Sequence, residues 1–150
     1  MNITVLLTVL SGVLTYVIGQ IILKIIIEPV QDMKKTIGQI SHSLIEHANV
    51  IQNPGVPSEE TMHKTSQHLR MLSSQIQAHL YLVPKYKFTA FIFRLPSQKQ
   101  VLEAAKNLIG LSNSVFRASE NTHEYNSKRV EKICDSLSIY MSEGDRWPKE

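Results

Sequence analysis

The longest apolar stretch of the chain lies at its start, where residues 2–23 include no charged side chain. As an α-helix these 22 residues extend about 33 Å, enough to cross the roughly 30 Å hydrocarbon core of a bilayer. The pattern therefore predicts one transmembrane helix, with residues 1–27 as the membrane anchor. A cleaved secretory signal fits less well, because no Lys or Arg precedes Lys24 and no Ala-x-Ala follows the run.

Beyond the anchor, apolar residues recur at steps of three and four, the spacing of a helix with one buried face. Four such stripes run over residues 30–51, 62–83, 101–115 and 130–141. The third stripe is the most apolar, so we expect its helix to lie at the centre of the body. The chain is thus predicted to be all-α, with a single N-terminal transmembrane helix followed by a small antiparallel bundle of four helices over residues 28–143.

Prolines, glycines and serines mark where these helices are expected to begin and end. The predicted boundaries are a junction at 28–29, a type II turn at 53–55, N-caps at Ser58 and Ser97, and a helix end at Gly144. The glycine of the turn needs positive φ, and Gln100 completes a capping box with Ser97. Residues 144–150 are expected to be a frayed tail.

The segment 85–95 lies between two prolines and is rich in aromatic residues. On a helix one face carries Phe88, Phe91, Ile92 and Leu95, and another carries Lys87 and Arg94. Such a helix would extend only about 16 Å, too short to cross a bilayer. Two interpretations stay open: a short fifth helix with its Phe side chains in the core, or an interfacial segment with those side chains at the acyl boundary.

Positive charge is concentrated in the middle of the chain. Residues 64–117 contain eight cations against the single Glu103, a net charge of +7, whereas residues 24–63 and 118–150 each carry −2. A basic middle favours an anionic partner, and a lipid leaflet is the first choice beside an anchor. Nucleic acid is unlikely as a partner, since no recognition motif accompanies the charge. The candidate contacts for anionic lipid or ligand are Lys85, Lys87, Arg94 and Lys99.

Cationic residues also predict the orientation of the anchor. Lys24, Lys34 and Lys35 follow the span, whereas none precedes it. The positive-inside rule therefore places the N-terminus outside and the body in the cytoplasm. Cys134 is the sole cysteine, so no intrachain disulfide can form and nothing points to an oxidising compartment.

Small residues follow two lines along the predicted span. Thr4, Thr8 and Gly12 lie on one line, and Ser11, Thr15 and Gly19 lie on its neighbour. Lines of small residues let two helices approach closely in lipid. The candidate residues for self-association are Ser11, Thr15, Gly19 and Gly12.

The sequence carries no recognisable catalytic motif: it has no phosphate-binding glycine loop, nucleophile elbow, zincin helix or cysteine pair. Four acidic positions do resemble the ligand pattern of di-iron bundles, namely Glu46, Glu60-x-x-His63, Glu103 and Glu120-x-x-His123. Helical rise would separate Glu103 and Glu120 by about 21 Å along the bundle, too far to share a metal. We therefore predict no catalytic residue, metal or cofactor, and a protein that is not an enzyme.

Two stretches, EPVQDMKKTIG at 28–38 and PSQKQVLEAAKNLIGLSN at 96–113, resemble a group of short bacterial proteins with one N-terminal span and a helical cytoplasmic body. The resemblance implies a bacterial inner membrane and brings no activity or site residue with it.

Two functions remain open from the sequence. The first is an anchored adaptor or scaffold that presents a helical surface to a cytoplasmic protein or to a second copy. The second is a membrane effector gated by a nucleotide-like or phosphorylated anion that binds the basic segment 64–117.

Overall fold

A computed structural model describes residues 2–117, 119 and 121–141, and 83% of these residues are helical, with no strand among them. The helices are α1 (Ile3–Ile22), a π-helical segment (Leu23–Ile27), α2 (Glu28–Glu46), α3 (Ala48–Gln52), α4 (Glu59–Leu82), α5 (Tyr86–Phe93), α6 (Gln98–Ser114) and α7 (Thr122–Leu137). The prediction of an all-α chain with a long apolar N-terminal helix is confirmed.

The first three segments form one continuous helix, Ile3–Glu46, of 44 residues. This helix is long and apolar enough to cross a membrane, and its most apolar stretch is packed against nothing else in the described chain. The junction at Glu28 and Pro29 therefore does not start a separate helix. Pro29 has no amide hydrogen to donate, and in a regular α-helix its ring would clash with the carbonyl of Ile25. The π-helical turn directly before Pro29 is wider, and its amides pair with carbonyls five residues back instead of four. The Glu28 amide donates to the carbonyl of Leu23, five residues back.

The body of the protein is built around α6, which packs against both α4 and α7. Helix α2 packs mainly against α4. The Ser73 hydroxyl donates to the Ala105 carbonyl at 2.9 Å, which ties α4 to α6 where both are buried. The third stripe was expected at the centre of the body; its helix packs against both α4 and α7, and Val101, Leu108 and Leu111 are fully buried.

The predicted turn and cap residues act as expected. Gly55 adopts a φ of 78°, the positive value that a type II turn needs at its third residue. The Ser58 hydroxyl accepts the Thr61 amide at 3.3 Å. Ser97 and Gln100 form a reciprocal capping box at the start of α6.

Two helix ends differ from the sequence-based expectation. The first stripe is interrupted at His47, so its last turn becomes the separate helix α3, although Ile51 remains fully buried. Helix α7 ends at Leu137, not at Gly144, because Ser138 turns left-handed with a φ of 55° and the Ile139 amide bonds back to the Cys134 carbonyl at 2.9 Å. The predicted tail 144–150 and its boundary lie outside the described residues.

Candidate functional site

One end of the body lies next to α1, and we call it the proximal end. There the Tyr86 hydroxyl lies 3.5 Å from the Met33 sulfur, and Thr36 Oγ1 lies 2.9 Å from His79 Nε2. These contacts place the last turn of α4 and the start of α5 beside the first turns of α2. Helix α5 therefore joins α4 to α6 at the end of the body nearest the apolar helix.

A buried tyrosine holds α5 in place. The Tyr86 hydroxyl donates to the Pro96 carbonyl at 2.6 Å, which closes the loop that α5 forms between α4 and α6. Burial raises the pKa of Tyr86 to about 12, so the phenol stays a neutral donor at physiological pH. Thr89 adds a second attachment, since its hydroxyl donates to the Pro84 carbonyl at 2.7 Å.

The two sides of α5 are both apolar, but only one is buried. Its inward side carries Tyr86, Thr89 and Ala90. Its outward side carries Phe88, Phe91 and Ile92, and Phe91 is 85% exposed. The interpretation that places the Phe face of this segment in the core is therefore wrong; among its phenylalanines only Phe93 packs against the core.

Leu95 was expected to share the face of Phe88 and Phe91, yet it is buried. The helix ends before it, because Arg94 adopts a left-handed conformation with a φ of 53°. This turn directs the chain inward, and the Leu95 amide bonds to the Ala90 carbonyl at 2.9 Å. Lys85, at the other end of α5, has a φ of 43°. Left-handed geometry disfavours side chains other than Gly and Asn, so cations occupy two strained positions.

The end of α4 also exposes large apolar side chains. Tyr81 is 90% exposed and Leu82 is 60% exposed, directly before the turn that leads into α5. We call the whole surface the outward patch: it consists of Tyr81, Leu82, Phe88, Phe91 and Ile92. Five large apolar side chains together at one end of a body are typical of an interaction surface.

All four predicted anion-contact residues lie around α5 and are exposed. Lys85 and Arg94 lie at its two ends, whereas Lys87 and Lys99 line one groove of about 910 Å³ between α5 and the first turns of α6. Among the described residues, the ion pairs that form involve none of the four. The structure thus gathers these cations at the proximal end without neutralising them.

Other cations of the basic segment lie elsewhere and are partly engaged. Lys64 pairs with Glu60 at 2.5 Å, near the start of α4. Arg70 donates to the Asn113 side chain on α6. The excess of positive charge in residues 64–117 is therefore divided between the two ends of the body.

The small residues of α1 face open space in the single chain. A Cβ added to Gly12 or Gly19 would meet no atom of the described residues within 4 Å. The hydroxyls of Ser11 and Thr15 donate to carbonyls of their own helix, at 2.9 Å each. These hydroxyls are satisfied without a second helix, so self-association through this face remains a prediction.

The candidate metal pattern does not come together in the part of the chain that is described. No group of three His, Cys, Asp or Glu residues there lies close enough to hold a metal. Glu46 instead lies near His42 and His47, and the Glu103 carboxylate accepts the Asn107 amide at 3.2 Å. Glu120 lies outside the described residues.

A histidine that sequence patterns place at the edge of the core is buried in the structure. His79 pairs with Thr36, whose own hydroxyl lies 3.1 Å from the Asp32 carbonyl, and His79 Nδ1 has no partner among the described residues. If Thr36 donates to Asp32, His79 donates from Nε2, and only an acceptor lone pair stays unpaired. Burial lowers the pKa of His79, with a smaller opposing effect from Asp32.

We expect the body to lose stability as the pH falls below about 6.5. The pKa of His79 in the folded chain, like that of His47, lies below its ordinary value of 6.5, so the unfolded chain binds more protons in the window beneath that value. The contribution of these histidines to stability is thus fully present above pH 6.5 and is lost as the pH falls to their pKa values in the folded chain. The melting temperature of the full chain in detergent, recorded between pH 7.5 and pH 5, measures this decline. His79→Gln should reduce the slope of melting temperature against pH. Equal slopes for the variant and the native chain would contradict the role of His79.

One buried polar residue was missed by the sequence analysis. Asn126 is fully buried, donates to the Ile51 carbonyl at 2.8 Å, and accepts the Ser114 hydroxyl at 2.6 Å. It therefore joins α3, α6 and α7 at the end of the body far from α1. Asn126 lies four residues before Val130 and so continues the spacing of the last apolar stripe. Because its side chain is polar, the apolar pattern alone does not predict that it is buried.

Comparisons with known proteins add no family to this picture. No family model matches the sequence, and neither the curated proteins nor the solved structures gave a match. The outward patch and its surrounding cations are therefore interpreted from their own geometry.

Proposed function

We propose that this chain is a membrane-anchored, non-enzymatic helical protein that presents an interaction surface to the cytoplasm. The observation that carries the proposal is the continuous helix Ile3–Glu46. Its first half is apolar and exposed, and its second half supplies Met33, Ile40 and Leu44 to the core of the body. One helix thus belongs to both parts, and no flexible linker separates them.

This connection would hold the body close to the bilayer. Val30 is already buried in the core, only three residues after the apolar run ends at Ile27. Three residues of helix correspond to about 4.5 Å. An antiparallel bundle held at such a distance would keep a fixed position relative to the bilayer, which suits an adaptor or scaffold.

The proposed setting is the bacterial inner membrane, with the N-terminus outside. The support is the cationic flank: Lys24, Lys34 and Lys35 follow the span and are exposed. The partner would be a cytoplasmic protein or a second copy of the chain, with Gly12 and Gly19 of the span open for close helix contact.

The groove beside α5 favours a second candidate, the anion-gated membrane effector. Lys87, Lys99 and Lys106 line this groove, and Glu103 is the one acidic residue among its lining side chains. A phosphorylated ligand would match that charge. Binding of this ligand would reorganise the contacts that the lines of small residues make in the span.

One experiment tests the proposal and separates the two candidates. Crosslinking of the full-length protein in intact bacterial cells should capture a second copy or a cytoplasmic protein. If the second copy is captured, Gly12→Ile with Gly19→Ile should reduce it several-fold, because the added branches separate the spans. Val13→Ile is the control, since it enlarges the side chain by one methylene group at an exposed span position off both lines.

A lone monomer in detergent, with no protein captured in cells, would contradict the adaptor. The same sample purified in native lipid tests the effector. A small anion that copurifies and is lost on Lys87→Glu with Lys99→Glu would favour that candidate instead.

A further inference from the structure

The outward patch leaves a large apolar surface uncovered on the described chain. Tyr81 and Phe91 are the most exposed of its residues, and neither side chain packs against the core. On α5 the exposed Phe88 and Phe91 project opposite Tyr86 and Ala90, which are buried. The patch therefore points away from the body.

The patch lies about two helical turns beyond the end of the apolar run. His79 precedes the patch in sequence and contacts Thr36 of α2, and Tyr86 lies between the patch residues of α4 and α5 and contacts Met33. Met33 is six residues beyond Ile27, which corresponds to about 9 Å of helix. The polar layer on each side of a bilayer is roughly 5–8 Å thick. If α1 crosses a bilayer, the contact of Tyr86 with Met33 therefore lies at the outer edge of the headgroup layer, and side chains of α5 that project toward the bilayer from there reach into that layer.

The charges around the patch match an anionic leaflet. Lys85 and Arg94 cap the two ends of α5, and Lys87 lies on its first turn. None of the three is in an ion pair with another described residue, and α5 contains no acidic residue. A helix with aromatic residues outward and cations at its margins is typical of a segment that lies in the membrane interface.

We propose that α5 is a second membrane contact, a helix that lies in the plane of the cytoplasmic leaflet. Phe88, Phe91 and Ile92 enter the boundary between headgroups and acyl chains, and Lys85 and Arg94 bind lipid phosphates. This inference rests on the proposed function, because α1 must span the bilayer to bring α5 to it. Attachment through α1 keeps the local lipid concentration high, so a weak interfacial affinity is enough.

A bilayer fits the patch better than a protein partner. The patch lies about two helical turns from the anchor, and Lys85 and Arg94 lie at the two ends of its helix, where lipid phosphates can meet them. Two membrane contacts on one body would also fix its tilt. The far end of the body, with the turn at 53–55 and Phe116, would then face the cytoplasm.

Spin-label depth measurements on the full chain in liposomes test this inference. A Cys134→Ser background carries one label at a time, at Phe91→Cys in the patch, Val56→Cys at the far end, or Leu10→Cys in the span. Val56 is the matched control, since it is apolar and 79% exposed. Oxygen and a water-soluble nickel complex report depth in phosphatidylcholine vesicles with and without phosphatidylglycerol.

The label at Phe91 should lie about 5–10 Å into the headgroup and acyl boundary, with several-fold more oxygen than nickel collisions relative to the label at Val56. In the vesicles that contain phosphatidylglycerol, Lys85→Glu with Arg94→Glu should make it shallower. A label at Phe91 as accessible to nickel as the label at Val56 would overturn the inference.

Two further outcomes would also overturn it. Shielding of the Phe91 label from both reagents, with spin coupling between copies, would assign the patch to a protein contact. An aqueous label at Leu10 would refute the anchor itself, whereas a lipid-embedded Leu10 with an aqueous Phe91 would refute only the role of α5.

Discussion

Two arginines in the middle of α1, Leu10→Arg and Leu14→Arg, are expected to remove the protein from the membrane fraction. Both leucines are exposed on a helix that packs against nothing else in the described chain. Each arginine at the centre of a span costs about 2.5–3.5 kcal/mol, so the pair costs about 5–7 kcal/mol. Alkaline extraction of membranes followed by detection of the full-length chain measures the loss.

The matched control places two arginines at exposed apolar positions outside the span, Ile45→Arg and Val56→Arg. These residues are 48% and 79% exposed, so the control adds equal charge without changing the anchor. It should stay in the membrane fraction. If the native chain is found in the supernatant, or if a tag on its last residue is reachable from outside the cell, the anchor or its orientation is wrong.

The second large effect is expected from Leu108→Ala, which should destabilise the body by about 2–5 kcal/mol. Leu108 is fully buried on α6, between α4 and α7. Its truncation removes buried methyl groups and leaves a cavity in a helix layer that packs on both sides. The melting temperature of the full chain in detergent should fall by on the order of 10 °C.

Leu102→Ala is the matched control on the same helix. Leu102 is 49% exposed, so its truncation should change the free energy of unfolding by less than about 0.5 kcal/mol. Similar effects of the two substitutions would show that α6 is not the centre of the body.

Periodic and local signals predicted much of this fold. The steps of three and four placed Met33, Leu69, Leu108 and Ile133 inside, and all four are fully buried. The capping box at Ser97 involves only residues within one helical turn, so the neighbouring residues in the sequence are enough to predict it. Signals of this kind do not depend on which elements pack together.

Other features depend on partners far along the chain, and the sequence pattern did not predict them. The break at His47 separates α3 from α2, and the Ile51 carbonyl of α3 accepts the amide of Asn126, 75 residues later. His79 is buried through its bond to Thr36, 43 residues earlier. A buried polar side chain is stable only when such a partner is present, so only the tertiary structure reveals it.

The sequence by itself determined that the chain has a charge-free apolar helix at its start and amphipathic helices after it. It could not choose the buried side of α5, because apolar residues lie on two opposite sides of this helix, Tyr86 and Ala90 on one and Phe88 and Phe91 on the other, and a hydrophobic period selects a side only when polar residues mark the other. Tertiary structure made that choice: Tyr86 turns inward to bond the Pro96 carbonyl, and Phe91 is left outside.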